Sequence, residues 1–270
     1  MQGFELTLAF DQALPKGVEW GRALHGLFFK KILKTKTADL LRSSLSFKPY
    51  TLRYKSVSQG AQMKLRVNLL LEGFKDTLAE ELPQKVGYKF NLDSWDGHIA
   101  FVNSFPFPTY SDILLGANSS EYFSLSFRKT TFKRGDYDYP LPDPILIFGN
   151  LCTRWHSFSP IKMSEDLPTI WEKSRLLILD SSRVSTIVIG LNQEEIHAFN
   201  GTVIFRIAER NKVLRQQIHA LARYATIAGI GAKTTMGLGM ARYEPIFAGA
   251  GGKTTHGMGM TRRVVGEKSR

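Results

Sequence analysis

One stretch of the chain concentrates residue types that suit the binding of a phosphate. Ala228–Gly239 contains four glycines, one lysine and two adjacent threonines, and it follows a run with helical periodicity. Glycine tolerates positive φ and lets the backbone approach a ligand closely, so its N–H groups can turn toward an anion. The stretch predicts an anion-binding loop, and a plain glycine-rich turn before a strand is the alternative. The residues assigned to binding are Gly229, Gly231, Lys233, Thr234, Thr235, Gly237 and Gly239.

The same stretch occurs a second time further along the chain. Ala248–Arg262 is identical to Ala228–Arg242 at ten of fifteen positions. A repeat this short cannot bury an apolar face of its own, so it is not a solenoid unit. Only the first copy follows a helical run. We therefore take the first copy as the functional one and predict that residues 244–270 form a tail with a duplicated motif.

A second set of residues suits the cleavage of RNA without a metal ion. In that reaction the ribose 2′-OH attacks the adjacent phosphorus, a base takes its proton, and cations stabilise the added negative charge. A histidine that titrates near neutral pH, together with lysine or arginine, is sufficient. The candidates are His25 and the basic residues that follow it, among them Lys48. The alternative for His25 is a partly buried structural histidine, and for Lys48 a solvated lysine.

Composition and motif spacing exclude several classes of protein. The 270 residues are 43% hydrophobic and 22% charged, which is typical of a globular chain. A net charge of +12 favours a polyanionic partner. No apolar run is long enough to span a bilayer, and no signal peptide is recognisable, so we expect a cytoplasmic protein with no membrane partner. One cysteine and scattered histidines predict no metal site and no cofactor, and the glycine-rich stretch lacks Walker spacing.

The elements that must position these residues repeat one order twice. The first round predicts strands at 4–10, 50–56, 63–71 and 97–107, with helices at 18–34, 38–42 and 72–82. The second predicts strands at 121–127, 175–179, 186–191, 201–207 and 239–243, helices at 145–158 and 214–225, and a basic turn at 128–135. Each round fits β-α-β-β-α-β, with one extra strand in the second. The predicted fold is α+β, with two tandem ferredoxin-like domains at 1–118 and 119–243.

Four features in this order resemble the CRISPR-associated repeat-processing endoribonucleases of the repeat-associated mysterious protein (RAMP) superfamily. The resemblance covers 4–243. Residues 228–239 resemble the family's C-terminal glycine-rich loop, and 24–28 resemble the start of its first helix. Residues 47–51 resemble the segment that enters its second strand. The motif at 140–144, taken with 154–160, resembles a signature of cyanobacterial-type members.

The resemblance implies two RRM/RAMP-like domains and the binding of CRISPR repeat RNA, as a stem-loop or a single strand. It also implies metal-independent cleavage that leaves a 2′,3′-cyclic phosphate. The glycine-rich loop is then expected along the RNA phosphates, with Lys129, Arg134 and Arg154 extending the track. A CRISPR effector complex and a second copy of the chain are further partners that the resemblance leaves open.

The chain departs from the family at one position. Family members often carry a histidine after a leucine shortly beyond the first helix, whereas this chain has Leu41 followed by Arg42. The interpretation we favour makes His25 the base, with Lys48 and Arg42 in support. Alternatively, Arg42 and Lys48 act by electrostatics in a slow enzyme, or the protein binds repeat RNA as a non-catalytic subunit.

Overall fold

A computed structural model describes residues 1–42, 47–191 and 194–246. The described chain contains two five-stranded sheets and a two-stranded hairpin, and all strand pairs are antiparallel. The duplicated motif at 248–262 lies outside the described residues.

The first sheet is built from the N-terminal part of the chain. Its strands are β1 (Gln2–Phe10), β2 (Tyr50–Val57), β3 (Gln62–Leu69), β4 (Lys89–Leu92) and β5 (Trp95–Pro106), in the order β2-β3-β1-β5-β4. Its helices are α1 (Gly21–Leu27), which continues as a π-helical turn (Phe28–Ile32), α2 (Thr35–Arg42) and α3 (Lys75–Glu81). Alternate residues of β1, including Phe4, Leu6 and Leu8, are buried in the core on one face of the sheet. This burial is what strict alternation predicts for a half-buried strand.

A buried carboxylate fixes the start of α2. Glu81, at the end of α3, accepts hydrogen bonds from the backbone N–H of Lys34 and, at 2.7 Å, from the hydroxyl of Thr37. An acidic group at a helix N-terminus satisfies an unpaired N–H and suits the helix dipole. Arg42, a predicted site residue, is the last residue of α2. By fixing the first turn of this helix, Glu81 helps to position Arg42.

The second sheet is built from the C-terminal part. Its strands are β6 (Tyr122–Thr130), β9 (Leu176–Asp180), β10 (Ser185–Leu191), β11 (Glu194–Ile207) and β12 (Met240–Ile246), and the separate hairpin is β7 (Phe132–Arg134) with β8 (Tyr137–Tyr139). Four strands follow the order β10-β11-β6-β12, and β9 also pairs with β11. The helices are α4 (Tyr110–Leu115), α5 (Pro144–Phe158), α6 (Leu167–Glu172) and α7 (Lys212–Ala228). This core includes Phe123, Trp155 and Tyr224.

The ferredoxin-like order predicted from the sequence is confirmed in both sheets, because β2-β3-β1-β5 and β10-β11-β6-β12 have the same topology. The prediction of one basic turn at 128–135 was wrong. Arg128 pairs with Met240 and Thr130 with Phe199, so β6 runs to Thr130. Phe132 then starts the hairpin, with its ring buried near Phe199. Arg128 and Thr130 pair with residues far along the chain, so local pattern could not place them in a strand.

A buried histidine connects α7 to the second sheet. His219 Nε2 donates to the carbonyl oxygen of Ser120 at 2.9 Å, and Nδ1 lies 2.7 Å from the Tyr243 hydroxyl, which therefore donates to it. Both ring nitrogens are satisfied in the neutral form. Burial lowers the pKa of His219 to about 4.

We expect His219 to make folding stability dependent on pH. In the unfolded chain the ring takes up a proton near pH 6.5, whereas the folded chain resists protonation until about pH 4. The unfolded state thus binds more protons in this window, and the free energy of unfolding should fall by about 2 kcal/mol between pH 7 and pH 5. Urea denaturation of wild type and His219→Gln at both pH values isolates the contribution. An equal loss in the two proteins would assign the acid sensitivity to other groups.

Candidate active site and nucleic-acid interface

The glycine-rich loop lies between α7 and β12 and packs closely against β6. Ala232 N donates to Thr131 O at 2.9 Å, and Gly239 N donates to Lys129 O at 2.8 Å. Gly231 has φ +83°, and a Cβ there would lie 2.2 Å from Thr131 O. Glycine is therefore required for the close approach of two backbone segments. Anion binding by the loop glycines stays a prediction.

The loop also contacts the N-terminal half. The carbonyl of Met236 lies over Gly21 at the start of α1, where an added Cβ would come within 1.8 Å of its oxygen. Gly237 packs against the ring of Tyr54 in β2, where an added Cβ would lie 2.5 Å from the nearest ring carbon. The loop consequently fixes the position of α1, the helix that carries His25.

Arg154 and Thr234 hold the loop from inside the protein. The Arg154 guanidinium is buried and donates to Ala228 O at 2.6 Å and to Thr234 Oγ1 at 2.8 Å. Arg53 and Asn68, from the first sheet, donate to the two preceding carbonyls of α7. These donors satisfy carbonyls that a helix end leaves unpaired, and the two arginines suit the negative end of the dipole. Arg154 and Thr234 were predicted to contact RNA. Both hold the loop, and both also line the groove described next, so RNA contact by either residue stays a prediction.

A groove of about 560 Å³ opens between the two halves beside the loop. Lys48 lies on the N-terminal side, Lys133 comes from β7, and Lys233 comes from the loop. Gly231 and Thr235 line the same groove. The structure thus brings together Lys48 and the loop, two features predicted separately from the sequence, and adds Lys133. Three lysines that line one groove suit the backbone of a nucleic acid.

Lys129 and Arg134, which were also predicted to contact phosphates, form ion pairs within the protein. Lys129 forms an ion pair with Glu19, whose second oxygen accepts a hydrogen bond from the Tyr54 hydroxyl at 2.6 Å. Arg134 forms an ion pair with Asp143 at 2.7 Å. Neither Lys129 nor Arg134 is among the described residues that line the groove. Lys129 links the two halves, and RNA contacts by either residue stay predictions.

The three residues predicted to be catalytic lie in one cluster. His25 Nε2 is 3.1 Å from the hydroxyl of Tyr50, and the Arg42 guanidinium lies 5.0 Å from the centre of the Phe29 ring. The centre of the Phe29 ring lies 4.8 Å from the centre of the His25 ring and 4.9 Å from the centre of the Tyr50 ring. Lys48 Nζ donates to the backbone oxygen of Arg42 at 2.8 Å. Because Lys48 also lines the groove, the cluster adjoins the groove.

The electrostatics of the cluster favour a neutral imidazole. Burial lowers the pKa of His25, and the charge of Arg42 lowers it further. Burial raises the pKa of Tyr50, so its hydroxyl stays protonated. His25 is therefore able to accept a proton at neutral pH. Sequence reasoning missed Tyr50 as the partner of His25, since the contact joins α1 to β2 across 25 positions.

Across residues 1–42, 47–191 and 194–246, no three or more His, Cys, Asp or Glu side chains are grouped so that they could hold a metal ion. Over the same residues, no helix is both long and apolar enough to cross a membrane.

Comparison with known sequences points to one family. Residues 125–241 match the family model of the CRISPR-associated endoribonuclease Cas6. A protein described as CRISPR-associated endoribonuclease Cas6 from Streptococcus thermophilus is 24% identical over 139 residues, which is 49% of this chain and 55% of that protein. The chain therefore matches about half the length of this curated relative.

Comparison with solved structures covers nearly the whole fold. The product complex of the Thermus thermophilus Cas6 (TTHB231) has a TM-score of 0.77 at 22% identity, over 90% of this chain and 99% of that chain. The substrate mimic complex of Cas6 (TTHA0078) has a TM-score of 0.70 at 24% identity, over 90% of this chain and 100% of that chain. These similarities establish that the chain has the fold of the Cas6 proteins.

Proposed function

We propose that this chain is a Cas6-family endoribonuclease that binds CRISPR repeat RNA and cleaves precursor transcripts into guide RNAs. The match of residues 125–241 to the Cas6 family model supports the family. Relatives of the same fold are described as product and substrate mimic complexes. The observation that carries the proposal is the groove with Lys48, Lys133 and Lys233, which adjoins His25 and Arg42 through Lys48. The sequence signature at 140–144 and 154–160 supports a cyanobacterial-type member.

The cluster suits a reaction in which the RNA supplies its own nucleophile. Neutral His25 takes the proton of the 2′-OH as the 2′ oxygen attacks the adjacent phosphorus. The bond from phosphorus to the 5′ oxygen breaks, and that oxygen leaves with a proton from water. The resulting hydroxide takes the proton that His25 holds, which returns His25 to its neutral form. The products are a 2′,3′-cyclic phosphate and a 5′-hydroxyl end. Arg42 and Lys48 stabilise the additional negative charge on the phosphoryl oxygens.

The proposed chemistry needs no metal ion. Proton removal needs one base, and stabilisation of the phosphoryl charge needs one or two fixed cations. His25 supplies the first function, and Arg42 with Lys48 supplies the second. We propose this set of side chains, without a metal ion, as the catalytic group.

A second candidate function is a subunit that binds repeat RNA without cutting it, within a CRISPR effector complex. The observation that favours it is Arg42, which stands where the resembled family often has a histidine. A groove with three lysines serves binding equally well. Cleavage separates the two candidates.

The deciding experiment is cleavage of a labelled cognate repeat RNA in the presence of EDTA. We expect wild type to cut this RNA and to bind, but not cut, the same RNA with a 2′-deoxyribose at the cleavage site. Cleavage of the deoxy substrate would reject attack by the 2′-OH, and a requirement for added Mg²⁺ would reject metal independence. Tight binding of the unmodified repeat without cleavage would favour the non-catalytic subunit. An unrelated hairpin of equal length controls for binding to any RNA.

A further inference from the structure

One carboxylate pairs with a lysine of the basic groove. Glu194 begins β11, and its side chain is 62% exposed. Its Oε2 lies 2.5 Å from Nζ of Lys233, which lines the groove and is 23% exposed. The lysine proposed to contact RNA is thus already paired with an anion from its own chain.

Further cations surround the same carboxylate. The hydrogen bond from Lys233 and its charge lower the pKa of Glu194, and the charges of Arg22 and Lys133 lower it further. Lys133 also pairs with Asp138 at 2.8 Å. Glu194 thus pairs with Lys233 in a region of positive potential, where a phosphate would also be stabilised. A phosphate and a carboxylate repel each other and do not share that position beside Lys233.

We propose that Glu194 competes with RNA for Lys233, so that a phosphate must displace the carboxylate to enter the groove. This inference rests on the proposed function, in which the groove holds RNA. Contacts to phosphates bind any nucleic acid regardless of sequence. A carboxylate that weakens one such contact lowers the affinity for every polyanion, and stable binding then needs the additional contacts that a matching RNA makes. Glu194 is therefore an affinity-setting residue of the groove.

The test is the affinity of Glu194→Gln for repeat RNA, measured by fluorescence anisotropy across a series of salt concentrations. Glutamine keeps the size of the side chain but cannot hold the ion pair. Glu195→Gln is the matched control, because Glu195 is an exposed neighbour on the same strand and forms no ion pair in the described part of the chain. We expect Glu194→Gln to bind about two- to fivefold more tightly than Glu195→Gln at low salt. Its affinity should also fall more steeply as salt increases.

A second comparison isolates the pair from net charge. Lys233→Gln should weaken RNA binding more in the Glu194→Gln background than in wild type, because Lys233 is then released from its competitor. If Glu194→Gln and Glu195→Gln bind RNA with equal affinity, any gain over wild type is due to net charge alone. That result would overturn the inference. Weaker binding by Glu194→Gln would also overturn it, since the carboxylate would then be aligning Lys233 for RNA. If wild type binds no repeat RNA at all, the result rejects the proposed function itself.

Discussion

Replacing His25 with alanine is expected to lower the rate of repeat-RNA cleavage by about 10²- to 10⁴-fold, the usual contribution of a general base. The affinity for RNA should change little, because the groove lysines lie on other elements and His25 is not among the described residues that line the groove. Single-turnover cleavage with enzyme in excess separates the chemical step from product release. His98→Ala is the matched control, since His98 is an exposed histidine on β5.

The pH dependence of wild type gives a second measure of the same role. The neutral imidazole is the active form of a base, and burial with the charge of Arg42 lowers the pKa of His25. The cleavage rate should therefore rise with pH and reach its plateau below the pH at which an ordinary histidine would. Arg42→Gln removes one cause of the lowered pKa, so its acid limb should move to higher pH.

Two results would assign the chemistry elsewhere. If His25→Ala cleaves at the wild-type rate, His25 is a packing residue beside Phe29 and Tyr50. Arg42 and Lys48 would then be the residues to replace next. A pH profile of Arg42→Gln that coincides with wild type would separate Arg42 from the titration of His25. Tyr50→Phe removes the hydrogen bond to His25 and keeps the ring, so it measures how far that bond orients the imidazole.

Local signals explain why the elements near the site could be predicted from the sequence. Asp143 followed by Pro144 marks the start of α5, and in the structure the Asp143 carboxylate caps the N–H groups of Ile145 and Leu146. Asn211 caps α7 in the same way. These signals involve neighbours in the chain and mark the starts of two long helices. Shorter elements, namely β4, α4, α6 and the β7–β8 hairpin, were not predicted.

The geometry of the site depends on contacts that no local pattern encodes. Lys48 and Lys233 meet in one groove only because the glycine-rich loop packs against α1 and β2. The ion pair between Glu19 and Lys129 joins two elements 110 positions apart. Burial of Arg154 was not predictable either, because an arginine is by type mostly exposed. A single sequence could thus suggest residue types for the site but not which of them share a surface.

Replacing Arg154 with alanine is expected to lower the free energy of unfolding by about 3–5 kcal/mol, because each hydrogen bond from a charged group contributes about 1.5–3 kcal/mol and its acceptors stay buried. The bonds lost are those to Ala228 O and Thr234 Oγ1. Urea denaturation measures the change. Thr234→Val removes one of the two bonds and should cost less. Arg206→Ala is the control, because Arg206 is exposed and its pair with Glu121 is long, at 3.8 Å.

The same variants decide between the two roles of Arg154. If its role is to hold the glycine-rich loop, repeat-RNA affinity should fall for both Arg154→Ala and Thr234→Val, in the order of their loss of stability. Lysine has a single ammonium and cannot reproduce the fork of the guanidinium, so Arg154→Lys should recover only part of the stability. If Arg154→Ala instead keeps wild-type stability and loses RNA binding, the guanidinium leaves its internal partners and contacts the RNA itself. That result would support the direct role predicted from the sequence.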